Sequence, residues 1–145
     1  MCGGVEAQEA EKTWRIYFPN PKAAFPVLDE NGQLDWISWG RRREEPGSGP
    51  QGGWARSSTL AAGGWDKYHP RRGFGLVQKF MEKEGNPGEK RKRPSHWFDV
   101  PAGQALDCLI LGEGDQRRVY VVTTEPPEEF SWIHDRWPVL VELKT

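Results

Sequence analysis

Apolar and polar positions along the chain alternate in short runs rather than at helical spacing, and the pattern predicts strands far more often than helices. Thr13 to Phe18, TWRIYF, is aromatic and β-branched and stops at the turn-rich Pro19-Asn20-Pro21, which predicts a strand ending near Phe18. In AFPVLDENGQLDWISWG two apolar runs flank Asp29-Glu30-Asn31-Gly32, and Asn-Gly is a strong hairpin signal. Leu106 to Gly112 and Arg117 to Thr124, joined by EGDQ, predict a second, buried hairpin, and VLVEL after Pro138 a last strand.

Other stretches are less legible. A short, poorly capped helix fits between Ser57 and His69. In Arg72 to Glu84, a strand would put Phe74, Leu76, Gln78, Phe80 and Glu82 on one face, whereas a helix would group Leu76, Val77, Phe80 and Met81. Periodicity leaves both open. Thr124 followed by Glu125-Pro126-Pro127-Glu128-Glu129 has the cap, prolines and acids of a helix start, so one short helix is predicted over FSWIHDRW. Residues 41–53 and 85–94 are charged and rich in Gly and Pro and predict two mobile loops. The expectation is a single domain over residues 1–145 of α+β class, predominantly β, with a few short helices.

Composition narrows the functional classes. A length of 145 residues suits one domain, and 20 Lys+Arg against 21 Asp+Glu give a net charge of −1, which excludes a uniformly basic protein. Nine of the basic residues cluster, however, three at 41–43, two at 71–72 and four at 90–93, so local basic surface is expected. No apolar run is long enough to span a bilayer and no signal-peptide pattern opens the chain, so a cytoplasmic protein without a membrane partner is expected. Two cysteines, Cys2 and Cys108, make no disulfide framework. With eight tryptophans, several indoles should lie at a surface or in a groove, since a core this small cannot satisfy every indole N–H.

Most familiar chemistries lack their spacing. Cys2, His69, His96, Cys108 and His134 form no metal-ligand motif, no GxSxG elbow exposes a serine, and the Gly-rich loop lacks the Gly-Lys-Ser/Thr of a phosphate cradle. No metal or organic cofactor is expected. Cys108, amid Leu106, Leu109 and Ile110, has the setting of a small core residue. Cys2 is different, because removal of Met1 would leave a 1,2-aminothiol. Its amine, with a reference pKa near ~7.8, can form a Schiff base with an aldehyde, and its thiol can then close a thiazolidine ring.

Met1-Cys2-Gly3, Trp39-Gly40, Ala55-Arg56, RRGFGLVQKFMEK from Arg71 to Lys83, and VTT…IHDRWPVLV together resemble the SOS response-associated peptidase family. That family's pattern runs MCGRF, WGL, NARAET, RRCLVPADGFYEW and VT…IHDRMPVVL, and the likeness extends from residue 2 to about residue 141. The resemblance implies a compact fold of antiparallel, barrel-like sheets. It implies binding of single-stranded DNA, self-processing that exposes Cys2, and covalent capture of abasic sites as a thiazolidine. Carried over, Cys2, Glu82 and His134 would be catalytic, with Cys2 as amine and nucleophile and the other two moving protons. Arg56 and Arg136 would hold phosphates, and Trp39 and Trp54 would stack bases, with Trp39 the first choice. Trp14, Trp36, Trp97 and Trp132 are expected to pack rather than to make contacts. The expected partner is single-stranded or abasic DNA, bound by a monomer.

The chain departs from that pattern in three places. Gly4 replaces an arginine, Trp54 an asparagine, and Lys83 a tryptophan. These changes raise an alternative, a domain that has lost the chemistry and acts as a single-stranded nucleic-acid binding module.

Overall fold

The computed structural model describes residues 2–47, 49–85 and 92–143. It is 49% strand and 10% helix, in agreement with the expected class, and its centre is a closed five-stranded barrel. In chain order the first strands are β1 (Cys2–Glu9), β2 (Lys12–Tyr17), β3 (Ala24–Asp29), β4 (Leu34–Trp39) and β5 (Trp54–Arg56), followed by one helical turn, α1 (Ser57–Ala61). Then come β6 (Arg71–Gly75), β7 (Lys79–Lys83), β8 (Ser95–Asp99), β9 (Gln104–Leu111), β10 (Arg118–Thr124), β11 (Trp137–Pro138) and β12 (Leu140–Glu142). The barrel runs β10-β4-β3-β6-β9 and closes because β9 also pairs with β10. A separate four-stranded sheet, β2-β1-β7-β8, packs against it.

The two hairpins read from the sequence are present, β3 with β4 and β9 with β10. Strand alternation explains why β9 and β10 are apolar on both faces. Leu106, Cys108 and Ile110 join Val119 and Val121 in the main core, with Phe25, Val27, Ile37 and Trp39. Leu109 and Leu111 join Tyr120 and Val122 in a second cluster with Trp65. From the other sheet, Val5, Ala7 and Phe80 complete the main core. Cys108 is fully buried, and burial pushes its thiol far above the ordinary range, so it behaves as a core residue.

The ambiguous stretch resolves into two strands in different sheets, β6 in the barrel and β7 outside it. Gly73 and Gly75 make room in the barrel: a Cβ on Gly73 would lie 2.8 Å from Val27 Cγ1, and one on Gly75 3.1 Å from Phe25 Cε1. The helix expected after Thr124 does not form. Thr124 is the last residue of β10, Pro127 is extended, and a single 3-10 turn over Glu128–Phe130 is all that winds. Packing overrides the local start signal, because Phe130 stacks on Trp137 at 5.3 Å while Ile133 enters the core. Between Ser57 and His69 the helix is shorter than expected, α1 and then a 3-10 turn at Asp66–Tyr68.

The loop over 41–53 is irregular but tied down. Arg41 Nε donates to the Gly49 carbonyl at 2.7 Å, Arg42 donates to the carbonyls of Phe18 and Trp39, and Arg41 pairs with Gly52 as an isolated bridge. Of the second loop, residues 86–91 lie outside the described residues. No helix among the described residues is long and apolar enough to cross a membrane.

Gly40 is where β4 ends and the loop begins. Its φ is +59°, and a Cβ there would run into the Gly52 carbonyl and lie 2.6 Å from Gly53 Cα. Gly32, at φ +80° in the hairpin turn, has nothing within 4 Å. Gly32→Ala should therefore cost about 1 kcal/mol, the left-handed penalty alone, and Gly40→Ala at least about twice that. Urea unfolding of the two variants checks the difference.

Candidate functional site

Backbone pairing sets the first half of the site. In the antiparallel ladder of β1 and β7, Cys2 stands opposite Glu82 and Gly4 opposite Met81, with the register shifting between Cys2 and Gly4. On its other side Glu82 faces His96 of β8. Alternation along β7 sends Phe80 and Glu82 to the core side, and Glu82 is completely buried. Burial raises its carboxyl to about 7, while the positive charge of the chain's amino terminus pulls the other way. The result is a carboxyl poised to exchange a proton near neutrality.

His134 is supplied by the segment after the 3-10 turn and is 8% exposed. Its Nδ1 accepts a hydrogen bond from the Arg136 backbone N–H at 3.1 Å, which places the proton of the neutral ring on Nε2. Desolvation lowers its pKa, and the charge of the amino terminus lowers it further. Asp135 Oδ1, 3.0 Å from Nδ1, becomes an ion-pair partner only when the ring is protonated.

Arg136 and Arg56 meet at the end of β10. Arg56 stands beside Thr123 in the parallel pairing of β5 with β10, and Arg136 Nη2 donates to the Thr123 carbonyl at 2.8 Å and its Oγ1 at 3.1 Å. Burial depresses the pKa of Arg136 and the charge of Arg56 adds to that, while Asp135 and Glu125 pull the other way.

A cleft of about 440 Å³ lies beside these groups, lined by Gly3, Phe18, Trp54, Lys83, Arg93 and His134 among others. Trp54 leans on Phe18 with ring centres 4.7 Å apart. Glu82 lies on the opposite face of β7 from the cleft-lining Met81 and Lys83, under the pairing with Cys2. Trp39 is not available to a ligand, contrary to the expectation from sequence. It is 0% exposed, its Nε1 donates to the Gly53 carbonyl at 3.0 Å, and it packs edge-on under Trp54 at 6.1 Å. It supports the cleft rather than lining it.

No protein-family model, no curated protein and no solved structure matches this chain. The site must therefore be judged on its geometry. Of the residues singled out in the sequence, Cys2 by its backbone, Glu82, His134 and Trp54 converge on one end of the sheet, with Arg56 and Arg136 next to one another. Phe18, Arg93 and Met81 are cleft residues not expected from the sequence, although the aromatic run TWRIYF and the basic cluster at 90–93 hold a signal of the first two. Among the described residues no group of three or more His, Cys, Asp and Glu side chains is arranged to hold a metal.

The basic clusters have other work. Arg41 and Arg42 hold carbonyls of the loop and of Phe18, Arg71 reaches Gly112 and Glu113, and Arg72 grips the buried Asp107 at 2.5 Å. The clusters at 41–43 and 71–72 thus brace the fold more than they line a groove. Lys90 and Arg91 of the third lie outside the described residues.

Glu82 gives a testable pH dependence. Between its ordinary value of 4.5 and about 7 the folded chain keeps a proton that the unfolded chain releases. Its contribution is fully present below pH 4.5 and is lost as pH rises through 7, by roughly 3 kcal/mol in all. His134 acts in the reverse sense, with stability falling as pH drops below its ordinary 6.5. Urea midpoints measured from pH 4.5 to 7 should fall more steeply in the wild type than in Glu82→Gln, which has no proton to keep.

Proposed function

We propose that the protein captures abasic sites in single-stranded DNA through Cys2, in the manner of the SOS response-associated peptidases that its motifs resemble. The observation that carries this reading is the cross-strand pairing of Cys2 with a fully buried carboxyl, Glu82, next to a cleft that His134 lines. Glu82 and His134 both respond to the charge of the amino terminus, the group that removal of Met1 would renew on Cys2.

The chemistry balances with protons alone. The α-amine nitrogen of Cys2 adds to the C1′ aldehyde of the ring-opened sugar, giving a carbinolamine. Glu82 in its protonated form supplies the proton with which the hydroxyl leaves as water, and its carboxylate then takes back the nitrogen's proton, leaving an imine. Cys2 Sγ adds to the same carbon as the thiol gives up its proton, the imine nitrogen takes up that proton, and the thiazolidine closes. A carboxyl that titrates near neutrality is present in both of the forms this sequence needs. His134, with its proton on Nε2, serves as the second proton carrier. Arg56 and Arg136 take phosphates flanking the lesion, contacts that position the nucleotide without reading sequence. Trp54 offers a π-face in place of the family's asparagine, and Lys83 brings a positive charge where the family has an indole.

The test is adduct formation between the purified protein and a single-stranded oligonucleotide with one abasic site. The wild type should give a denaturation-resistant adduct and Cys2→Ser none, while Glu82→Gln slows its formation by about 10²- to 10⁴-fold. If the wild type forms no adduct yet still binds the intact oligonucleotide, the binding-module reading replaces the enzyme.

A further inference from the structure

A second groove, about 370 Å³, lies between β2 and the β3–β4 hairpin, lined by Trp14, Ile16, Tyr17, Lys22, Ala24 and Trp36 among others. Its two indoles are open to solvent, Trp14 at 46% and Trp36 at 36% exposed, which reverses the expectation that they pack. Trp14 stands opposite Ala7 on the core-facing side of β2, but β2 is the outer strand of its sheet, so the ring overhangs the core instead of entering it. Tyr17, 43% exposed and on the other face of β2 from Trp14, lines both this groove and the cleft beside His134, so the two adjoin at that residue.

Charge accompanies the rings. Lys12 Nζ sits 5.9 Å from the centre of the Trp14 ring, and Lys22 lines the groove together with one acid, Glu9. Exposed indoles interleaved with cations suit a ligand that offers flat π-faces on a polyanionic backbone, which is the chemistry of single-stranded nucleic acid. A purely apolar partner would have no use for the lysines.

We propose that this groove carries the nucleotides flanking the one held beside His134, with undamaged bases stacked on Trp14 and Trp36 and Tyr17 guiding the chain between the two clefts. The proposal rests on the reading that the partner is single-stranded DNA, but not on the covalent step. It adds a binding subsite at the far side of Tyr17 and assigns the stacking role to these two indoles, since Trp39 is buried.

Fluorescence anisotropy of labelled, undamaged oligo-dT tests it, with lengths of about four and about twelve nucleotides to fill one cleft or both. The wild type should bind the longer oligonucleotide more tightly, and the double variant Trp14→Ala/Trp36→Ala should lose at least about 10-fold on the longer one with little change on the shorter. Phenylalanine at both positions keeps a ring and should restore part of the loss. Equal affinity of variant and wild type for the longer oligonucleotide, no binding by the wild type, or a phenylalanine variant as weak as the alanine one would each overturn the proposal. Absence of the Cys2 adduct with tryptophan-dependent binding intact would remove the enzymatic reading and leave this groove standing.

Discussion

The pairing of β10 on both sides is the constraint on which the rest of the structure hangs. Its first half lies between β9 and the end of β4, and its second half takes β5 and then β11. β4 cannot continue alongside, because at Gly40 the chain turns away with φ +59° after donating one last hydrogen bond to the Val119 carbonyl. The loop returns at Gly53, whose carbonyl accepts both the Val121 N–H and the indole N–H of Trp39. A Cβ on Gly53 would lie 2.6 Å from that indole nitrogen, so only glycine lets the returning chain come this close. Closure of the barrel thereby fixes where Trp54 emerges, and Thr123 at the end of β10 fixes Arg56 and Arg136. The other half of the site owes its position to a different pairing, β1 with β7, and the two halves meet only because the sheet packs on the barrel.

How much of this is legible in the sequence follows from whether a signal is local. The Asn-Gly turn and the apolar runs of β9 and β10 act within a few residues, and they predict the two hairpins correctly. The barrel is implied by the resemblance but shows in no local pattern, because its closure depends on glycines at 73 and 75 that leave space for Val27, Ile110 and Phe25 from strands distant in sequence. The helix signal after Thr124 is local and real, yet Phe130, Ile133 and Trp137 each gain more by burial than a second helical turn would give. In the site, Glu82 and His134 are visible as residue types only. Their burial, and with it their altered proton affinity, arises from cross-strand neighbours that no spacing reveals.

The tryptophans make the same point about surface and core. An excess of indoles implies that some are exposed, but not which. Trp39 finds a carbonyl for its N–H at Gly53 and disappears, whereas Trp14 sits on an outer strand with no further strand to cover it. The near-zero net charge is equally uninformative, because most of the clustered arginines bind carbonyls and acids of their own chain.

Gly4 shows how a bare backbone position becomes intelligible once its neighbours are known. Across the four-stranded sheet its row reads Tyr17, Gly4, Met81, Trp97, and the Tyr17 and Trp97 rings meet edge to face 6.2 Å apart. A Cβ on Gly4 would approach Tyr17 Cδ1 to 3.2 Å and Met81 Cε to 3.4 Å, so a long side chain would have to displace the tyrosine. The ring occupies the space over the glycine, as aromatic residues do when they cover a bare backbone in a sheet. One row away Arg15 lays its guanidinium over Trp97 at 4.4 Å and bonds Glu6 at 3.2 Å, so a cation still stands beside the aromatic pair. An aromatic bridge with a neighbouring arginine thus fills the space over Gly4, and its Tyr17 ring borders the cleft beside His134.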